Sequence, residues 1–323
     1  MIISRTPFRI SFAGGGTDLA AFYRDEPGAV VSAAIDKYMY VTVNKYFDDS
    51  IILKYSRTEV VDHVRKVKHP LLRESMILTG FDRGIEITSM ADVVGGTGLG
   101  SSSSFTVGCL HALHAFKGEY VPAERLAAEA CEVEVGRVGE PIGKQDQYIA
   151  AYGGFQFIEF MKDETVRVSP IIAPPGKLDN LFRHLMLFYT GRTRGASDIL
   201  RRAAAKFKKN MPYLRDLRSL ADSARKSLQE GSVDEFGMIL HEGWLLKKRL
   251  EQGISNPSID KAYEAARRDG AKGGKILGAG GGGFLLLFVP LDRQASVRRA
   301  MKGWREIAFR FEPEGSKIIY VSG

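Results

Sequence analysis

Apolar and β-branched residues alternate with polar ones from Ile2 to Phe12, which predicts a strand with one or both faces covered. The same signature recurs over Tyr38–Tyr46 (YMYVTVNKY), Gly84–Met90 (GIEITSM) and Phe155–Phe160 (FQFIEF). Between these strands two helical patterns stand out. One starts near Leu99–Ser101 and runs to about Lys117; the other runs from about Pro122 to Gly139, with the proline in its first turn. The second half opens on a strand, His184–Tyr189 (HLMLFY), followed by four helical stretches. Pro212 opens one of them. Ser232 and Glu235 form a capping-box pattern for the next, which places its C-terminal cap at Gly253, and Pro257 starts another. Phe284–Val289 (FLLLFV) reads as a buried strand and Lys317–Val321 (KIIYV) as a last one, whose partner domain the pattern leaves open.

The 323 residues suit two domains. The Pro-rich stretch Ser169–Gly176 separates halves of unlike charge: 18 basic against 22 acidic residues over 1–172, and 28 against 16 over 173–323. The expected domains are therefore 1–172 and 173–323, the first α/β and the second α+β. Hydrophobic residues at 44% and charged residues at 26% exclude a disordered or fibrous chain. No run is long and apolar enough for a membrane span, and the N-terminal residues lack a secretory h-region, so a cytoplasmic protein without a membrane partner is expected. Cys109 and Cys131 stand alone in helical patterns, which argues against a disulfide or a Cys-based zinc site. The basic residues of the second half, such as Arg201, Arg202, Lys206, Lys208 and Lys209, lie along amphipathic helices as solvated faces do. They make up no extended aromatic-interleaved patch or RNP-like run, so nucleic acid is not expected as a partner.

Glycine changes this picture. Its 35 residues exceed the usual share and cluster in loops. Gly95–Ser104 (GGTGLGSSSS) leads into a helix, whose N-terminus presents unpaired N–H groups and a positive dipole end suited to phosphate. Gly95 and Gly100 have Walker A spacing, but Ser101 stands where the lysine belongs, so this is not a Walker loop. Gly278–Gly283 (GAGGGG) matches GxGxxG, yet a strand follows it rather than a helix, which excludes a dinucleotide fingerprint. Gly14-Gly15-Gly16-Thr17-Asp18 after the first strand is either a plain turn or a site for sugar hydroxyls. His111 and His114 are three apart on one helix with no third ligand in sight, and His241 belongs to HEGW rather than HExxH, so neither marks a metal centre.

In this order the three loops resemble the motifs of the GHMP kinases: Pro7-Phe8-Arg9 through Asp18, Gly96–Ser102, and Lys275–Phe284 (KILGAGGGGF). The resemblance spans nearly the whole chain. It implies the GHMP kinase fold, an N-terminal domain like ribosomal protein S5 domain 2 and a ferredoxin-like C-terminal domain, with ATP and substrate in the cleft between them. The phrases RISFAGGGTDL, AIDKYMYVTV, PIGKQDQYIAAYGG and HEGWLLKKRL are similar to those of D-glycero-D-manno-heptose 7-phosphate kinases, which phosphorylate the anomeric hydroxyl to give the 1,7-bisphosphate for surface polysaccharides. Many superfamily members carry Glu-His where Gly15-Gly16 stand here. That departure argues against galactokinase proper and leaves L-fucose-type kinases as an alternative. A sugar and ATP sensor without catalysis is a further one.

The resemblance also implies roles. Asp146 would orient and deprotonate the acceptor hydroxyl, with Arg9 holding it ionised and steadying the transferring phosphoryl. Gly96, Gly98, Leu99, Gly100, Ser101, Ser102 and Ser103 would cradle the ATP phosphates. Glu134, seven residues before Pro141, would hold Mg2+ together with Ser102. Gly14, Gly15, Gly16, Thr17 and Asp18 would take the sugar, with Gly280 and Gly281 facing it from the third loop. Lys144, Arg192 and Arg194 are the candidate cations for a phosphate on the substrate. The sequence leaves the oligomeric state, a homodimer included, open.

Overall fold

The longest strand shows in its burial why one chain segment can serve two partners. Over Gly28–Ile35 small apolar residues are covered on both faces, whereas from Tyr38 onward inward and outward positions alternate. This computed structural model describes residues 1–193, 201, 202 and 205–322. In it β1 (Ile2–Ala13) pairs antiparallel with β2 (Gly28–Lys45) between Val31 and Val43. The alternating half of β2 continues to β5 (Ile85–Ala91), while its doubly covered half pairs with β6 (Phe155–Phe160). β3 (Ile51–Lys54) runs parallel to β5 and antiparallel to β4 (Thr58–Val61), and β7 (Val166–Pro170) extends β6.

A second sheet holds β8 (Leu185–Tyr189), β9 (Gly273–Ile276), β10 (Phe284–Phe288) and β11 (Arg305–Glu306), in the order β11-β8-β10-β9, all antiparallel. The last strand, β12 (Lys317–Val321), leaves this sheet and pairs with β1 at the edge of the first. A bridge between Ile35 and Phe311 marks where the chain returns. The expected mixed α/β architecture of two sheet-based parts is thus observed.

The helices among the described residues are α1 (Ala20–Tyr23), α2 (Pro70–Thr79), α3 (Ser101–Phe116), α4 (Ala123–Cys131), α5 (Gln145–Tyr152), α6 (Lys177–His184), α7 (Phe207–Gln229), α8 (Val233–Leu250), α9 (Pro257–Arg268) and α10 (Gln294–Ala300). The capping box of α8 forms in both directions: Glu235 N–H donates to Ser232 Oγ, and Ser232 N–H to the Glu235 carboxylate, each at 3.2 Å. Three details differ from expectation. Pro212 lies inside α7, whose start is Phe207, so the helix forgoes one backbone bond there rather than beginning at the proline. α8 ends at Leu250 on an extended Glu251, and Gly253 takes its left-handed φ of 91° beyond the cap. The predicted helix from Pro122 changes to a π-helix over Glu132–Arg137, a local widening that is rare and concentrated at functional sites.

α3 is apolar almost all round and is buried against β1 and β2, where Gly108 allows contact close enough for Ser4 Oγ to donate to its carbonyl at 2.7 Å. One core runs from this layer into the second half. Phe12 stacks on Phe155 with centroids 5.2 Å apart and meets Phe236 of α8 edge-on at 5.2 Å. Each such buried ring is worth about 1.5–3 kcal/mol of transfer free energy, which joins the two parts firmly. Their facing edges enclose the cavity described next. Among the described residues no helix is long and apolar enough to cross a membrane.

Candidate active site

A cavity of about 400 Å³ is lined by the first glycine loop, the second and third glycine loops, the start of α5 and residues of α7 and α8. Its centre is an ion pair. β1 carries Arg9 inward, and α5 carries Asp146 in its first turn rather than in a loop. Arg9 Nε donates to Asp146 Oδ1 at 2.7 Å and Nη2 to Oδ2 at 2.5 Å, the parallel fork that guanidinium offers a carboxylate. The third donor, Nη1, reaches the Gly98 carbonyl at 2.5 Å, and the Arg9 N–H bonds the Leu99 carbonyl at 3.0 Å. Gly100 lies against this pair: at φ 74°, a Cβ there would stand 3.1 Å from Arg9 Cγ and 3.4 Å from Asp146 Oδ2.

The second loop ends in α3, whose N-cap residue Gly100 is left-handed and provides no side-chain cap. The first N–H groups therefore stay available, which makes this end of the helix suited to an anion. Gly96, Gly98, Gly100, Ser101, Ser102 and Ser103 line the cavity, while Leu99 is buried behind the loop. Gly98 and Gly278 meet face to face: a Cβ on Gly98 would stand 2.5 Å from the Leu277 carbonyl oxygen, and one on Gly278 would stand 2.6 Å from Gly98 Cα. Only glycine permits this approach between the second and third loops.

Asp18 is buried at the other wall. It accepts from Gly16 N–H at 2.9 Å and from Gln145 N–H at 3.4 Å. Burial raises its pKa above the usual carboxylate value, and the charge of Asp146 adds to that, against the pull of the backbone donors. Thr17 does not face the cavity. It is fully buried, its hydroxyl 2.8 Å from the Gly14 carbonyl and accepting from Ala29 N–H at 3.1 Å, so it builds the loop that Gly14, Gly15 and Gly16 present. In the third loop Gly280 lines the cavity; Gly281 is turned to Ile254, whose carbonyl accepts its N–H at 2.8 Å.

Glu134 is fully buried in the π-helix. Ser103 Oγ donates to its Oε2 at 2.8 Å and Thr106 Oγ1 to its Oε1 at 2.5 Å, with Gln147 Nε2 a third donor. Burial outweighs these donors and pushes its pKa up to about 7. Ser102, exposed on the cavity side, makes no bond to Glu134; the serine that does is Ser103. The pair of a cavity-lining hydroxyl and a buried carboxylate is all oxygen and short of positive charge, which fits a hard divalent cation. Among the described residues no cluster of three or more His, Cys, Asp or Glu gathers for a metal, so such an ion would draw most of its ligands from phosphate and water.

The candidate phosphate-binding cations are placed unevenly. Lys144 Nζ bonds Glu164 Oε2 at 2.6 Å and sits 4.8 Å from the centre of the Tyr23 ring, away from the cavity. Arg192 is exposed and outside the lining, and Arg194 lies outside the described residues. Two lysines instead line the cavity. Lys275 of β9 donates to the Phe12 carbonyl at 3.0 Å, and Lys247 of α8 donates to the Ile276 carbonyl at 3.1 Å and to that of Gly278. Burial, reinforced by the neighbouring cations, lowers both; Lys247 falls to about 8. Sequence reading missed them because a lysine on an amphipathic helix or before a glycine run looks solvent-facing. Their one signal was position, inside the phrases HEGWLLKKRL and KILGAGGGGF.

His114 is held by Glu119 and Glu129, each at 2.7 Å, and His111 by Ser316 at 3.0 Å, so both serve packing. The cavity thus combines a carboxylate fixed by a guanidinium, a second buried carboxylate, a helix N-terminus and two buried lysine side chains. This set can orient a hydroxyl, accept its proton and stabilise charge moving through a phosphoryl group.

Comparison with known proteins agrees with this chemistry. Residues 59–154 match the family model described as GHMP kinases N terminal domain, and residues 224–305 match GHMP kinases C terminal. The chain is 30% identical to a D-glycero-alpha-D-manno-heptose 7-phosphate kinase of Campylobacter jejuni, over 98% of both chains. It is 28% identical to a bifunctional fucokinase/GDP-fucose pyrophosphorylase of Arabidopsis thaliana, over 91% of this chain and 30% of that one. A crystal structure of a D-glycero-D-manno-heptose 1-phosphate kinase from Bacteroides thetaiotaomicron superposes with a TM-score of 0.83 at 24% identity, covering 100% of both chains.

Proposed function

The chain belongs to the GHMP kinase family and is a phosphotransferase, and we propose that it is a sugar 1-kinase transferring phosphate from ATP to the anomeric hydroxyl of D-glycero-D-manno-heptose 7-phosphate. The observation that carries this is the two-bond fork between Arg9 and Asp146 in the cavity lining, beside the helix N-terminus at Gly100. The similarity to the Campylobacter jejuni kinase along the whole chain supports the choice of sugar.

In this mechanism Asp146 accepts the proton of the anomeric hydroxyl as its oxygen attacks the terminal phosphorus of ATP, while the bond from that phosphorus to the bridging oxygen breaks and ADP leaves. Arg9 fixes the carboxylate in place through its two hydrogen bonds. The amides of Gly100–Ser103 bind phosphate oxygens, and Lys247, from the facing wall, stabilises charge on the transferring group. Asp18 and the Gly14–Gly16 loop hold the sugar, and the loop's backbone lets the ring approach closely. Lys275, which lines the cavity where Lys144 does not, would face the substrate's own phosphate. Mg2+, held by Ser103 and Glu134 on this reading, would neutralise charge on the phosphates of ATP.

The test is a phosphorus NMR spectrum after incubation with Mg·ATP and the heptose 7-phosphate. A new anomeric phosphate resonance, absent in Asp146→Asn, is the expected result. Transfer to L-fucose alone would replace the heptose with a fucose substrate, a second reading favoured by the plant fucokinase similarity. Binding of ATP and sugar with no transfer to either would leave a sensor.

A further inference from the structure

Of the three glycines in the first loop, two are glycine for backbone reasons. Gly14 and Gly16 have φ of 82° and 99°, and a Cβ on Gly14 would stand 1.9 Å from the Ala29 carbonyl oxygen. Gly15 is different. Its φ lies outside the left-handed region, and a Cβ there would meet only Ser11 Oγ at 3.7 Å and Gln145 Nε2 at 4.0 Å, ordinary contacts. Nothing in the fold demands glycine at this position. What its missing side chain leaves is space inside the cavity, with a hydroxyl on one side and a carboxamide on the other.

The carboxamide is not fully paired within the protein. Ser11 is buried at 6% exposure, and Gln145 Oε1 is buried with no partner. A buried polar group is normally satisfied, so the unpaired Gln145 Oε1 beside this opening marks a place where a ligand supplies the partner. The backbone of Gln145 is at the same time fixed, its N–H on Asp18 Oδ2. The side chain therefore projects from a held position. A carboxamide accepts from one hydroxyl and donates to the next, which is the pattern a vicinal diol presents, and the Ser11 hydroxyl adds a donor or acceptor across the gap.

We infer that Gly15, Ser11 and Gln145 form the part of the acceptor site that reads hydroxyl groups and sets how large a sugar is admitted. The inference rests on the sugar-kinase function proposed above. Gln145 and Ser11 select by hydrogen bonding, since a site built to pair a hydroxyl discriminates strongly when that pairing is lost. Gly15 selects by the room it leaves.

The experiment is calorimetric titration, without nucleotide, of D-glycero-D-manno-heptose 7-phosphate and of L-fucose into the wild type, Gln145→Met, Ser11→Ala and Gly15→Ala. ATP affinity of each variant serves as the control for folding. Gln145→Met is expected to weaken sugar binding at least tenfold and Ser11→Ala severalfold, with ATP affinity within twofold of wild type. Gly15→Ala is expected to weaken the seven-carbon sugar more than the six-carbon one, a change of ratio that loss of structure alone does not produce. If Gln145→Met fails to fold, Ser11→Ala and Gly15→Ala carry the same test. Equal sugar binding by wild type and folded variants overturns the inference and leaves the sugar-kinase function standing. A wild type that binds neither sugar overturns both.

Discussion

The ammonium of Lys275, on the second sheet, donates to the carbonyl of Phe12, on the first, at 3.0 Å. Phe12 stands two residues before the loop that holds Asp18, so a single buried bond fixes the first glycine loop from the other sheet. Lys247 anchors the third loop in the same way through Gly278. Lys247→Met is expected to lower kcat at least tenfold with little change in KM for the sugar, because its charge acts on the transferring group. Lys144→Ala should change kcat/KM less than threefold. Steady-state kinetics of the two variants side by side checks both.

Asp146→Asn keeps the shape of the fork but not its charge. Loss of a positioned general base typically removes 10²–10⁴-fold of rate. The variant is expected to bind ATP as the wild type does and to lose kcat by about that range, measured by phosphate transfer and nucleotide titration.

Ser102 and Ser103 separate cleanly. Ser103→Ala removes the donor on Glu134 and is expected to raise the Mg2+ concentration needed for half-maximal activity severalfold, with Ser102→Ala smaller in effect. Kinetics over a magnesium series decides between them; the reverse order would return the metal-binding role to Ser102.

Glu134 carries a pH signature. Its pKa is raised from the ordinary 4.5 to about 7, so between those values the folded state holds a proton that the unfolded state has released. Stability without ligands should therefore fall as pH rises from about 4.5 to about 7, by up to about 3 kcal/mol from this group. Denaturant melts of wild type and Glu134→Gln across this window check it: the slope should flatten in the variant.

How much of this was legible beforehand follows residue chemistry. The glycine loops, the capping box of Ser232 and Glu235 and the β-branched strands announced themselves, since local backbone demands leave local traces. Asp146 and Arg9 were placed by resemblance and are brought together by the fold, although no sequence spacing relates them. The π-helix around Glu134 was invisible, because a widened turn has the same residue preferences as an α-turn. Ser103 could not be told from Ser102, as the choice depends on which side of α3 faces the π-helix. Lys247 and Lys275 were hidden for the opposite reason: buried lysine is rare enough that its sequence reads as surface. The partner of β12 was undecidable from KIIYV, whose alternation fits either sheet edge.

Gly98→Ala should cost about 3 kcal/mol or more, from the left-handed φ of 82° and the contact with Leu277. Thermal melts should show it, with nucleotide affinity falling as the second and third loops part.

The return of the chain from the second sheet to β1, through the bridge at Phe311 and the pairing of β12, has a mechanical consequence. A domain hung on one linker can swivel about it. This one is tied to the first sheet at both its entry and its exit, so twisting about either connection is blocked by the other. With the aromatic contact of Phe12 and Phe236 between them, the two ties resist rotation of one wall of the cavity against the other.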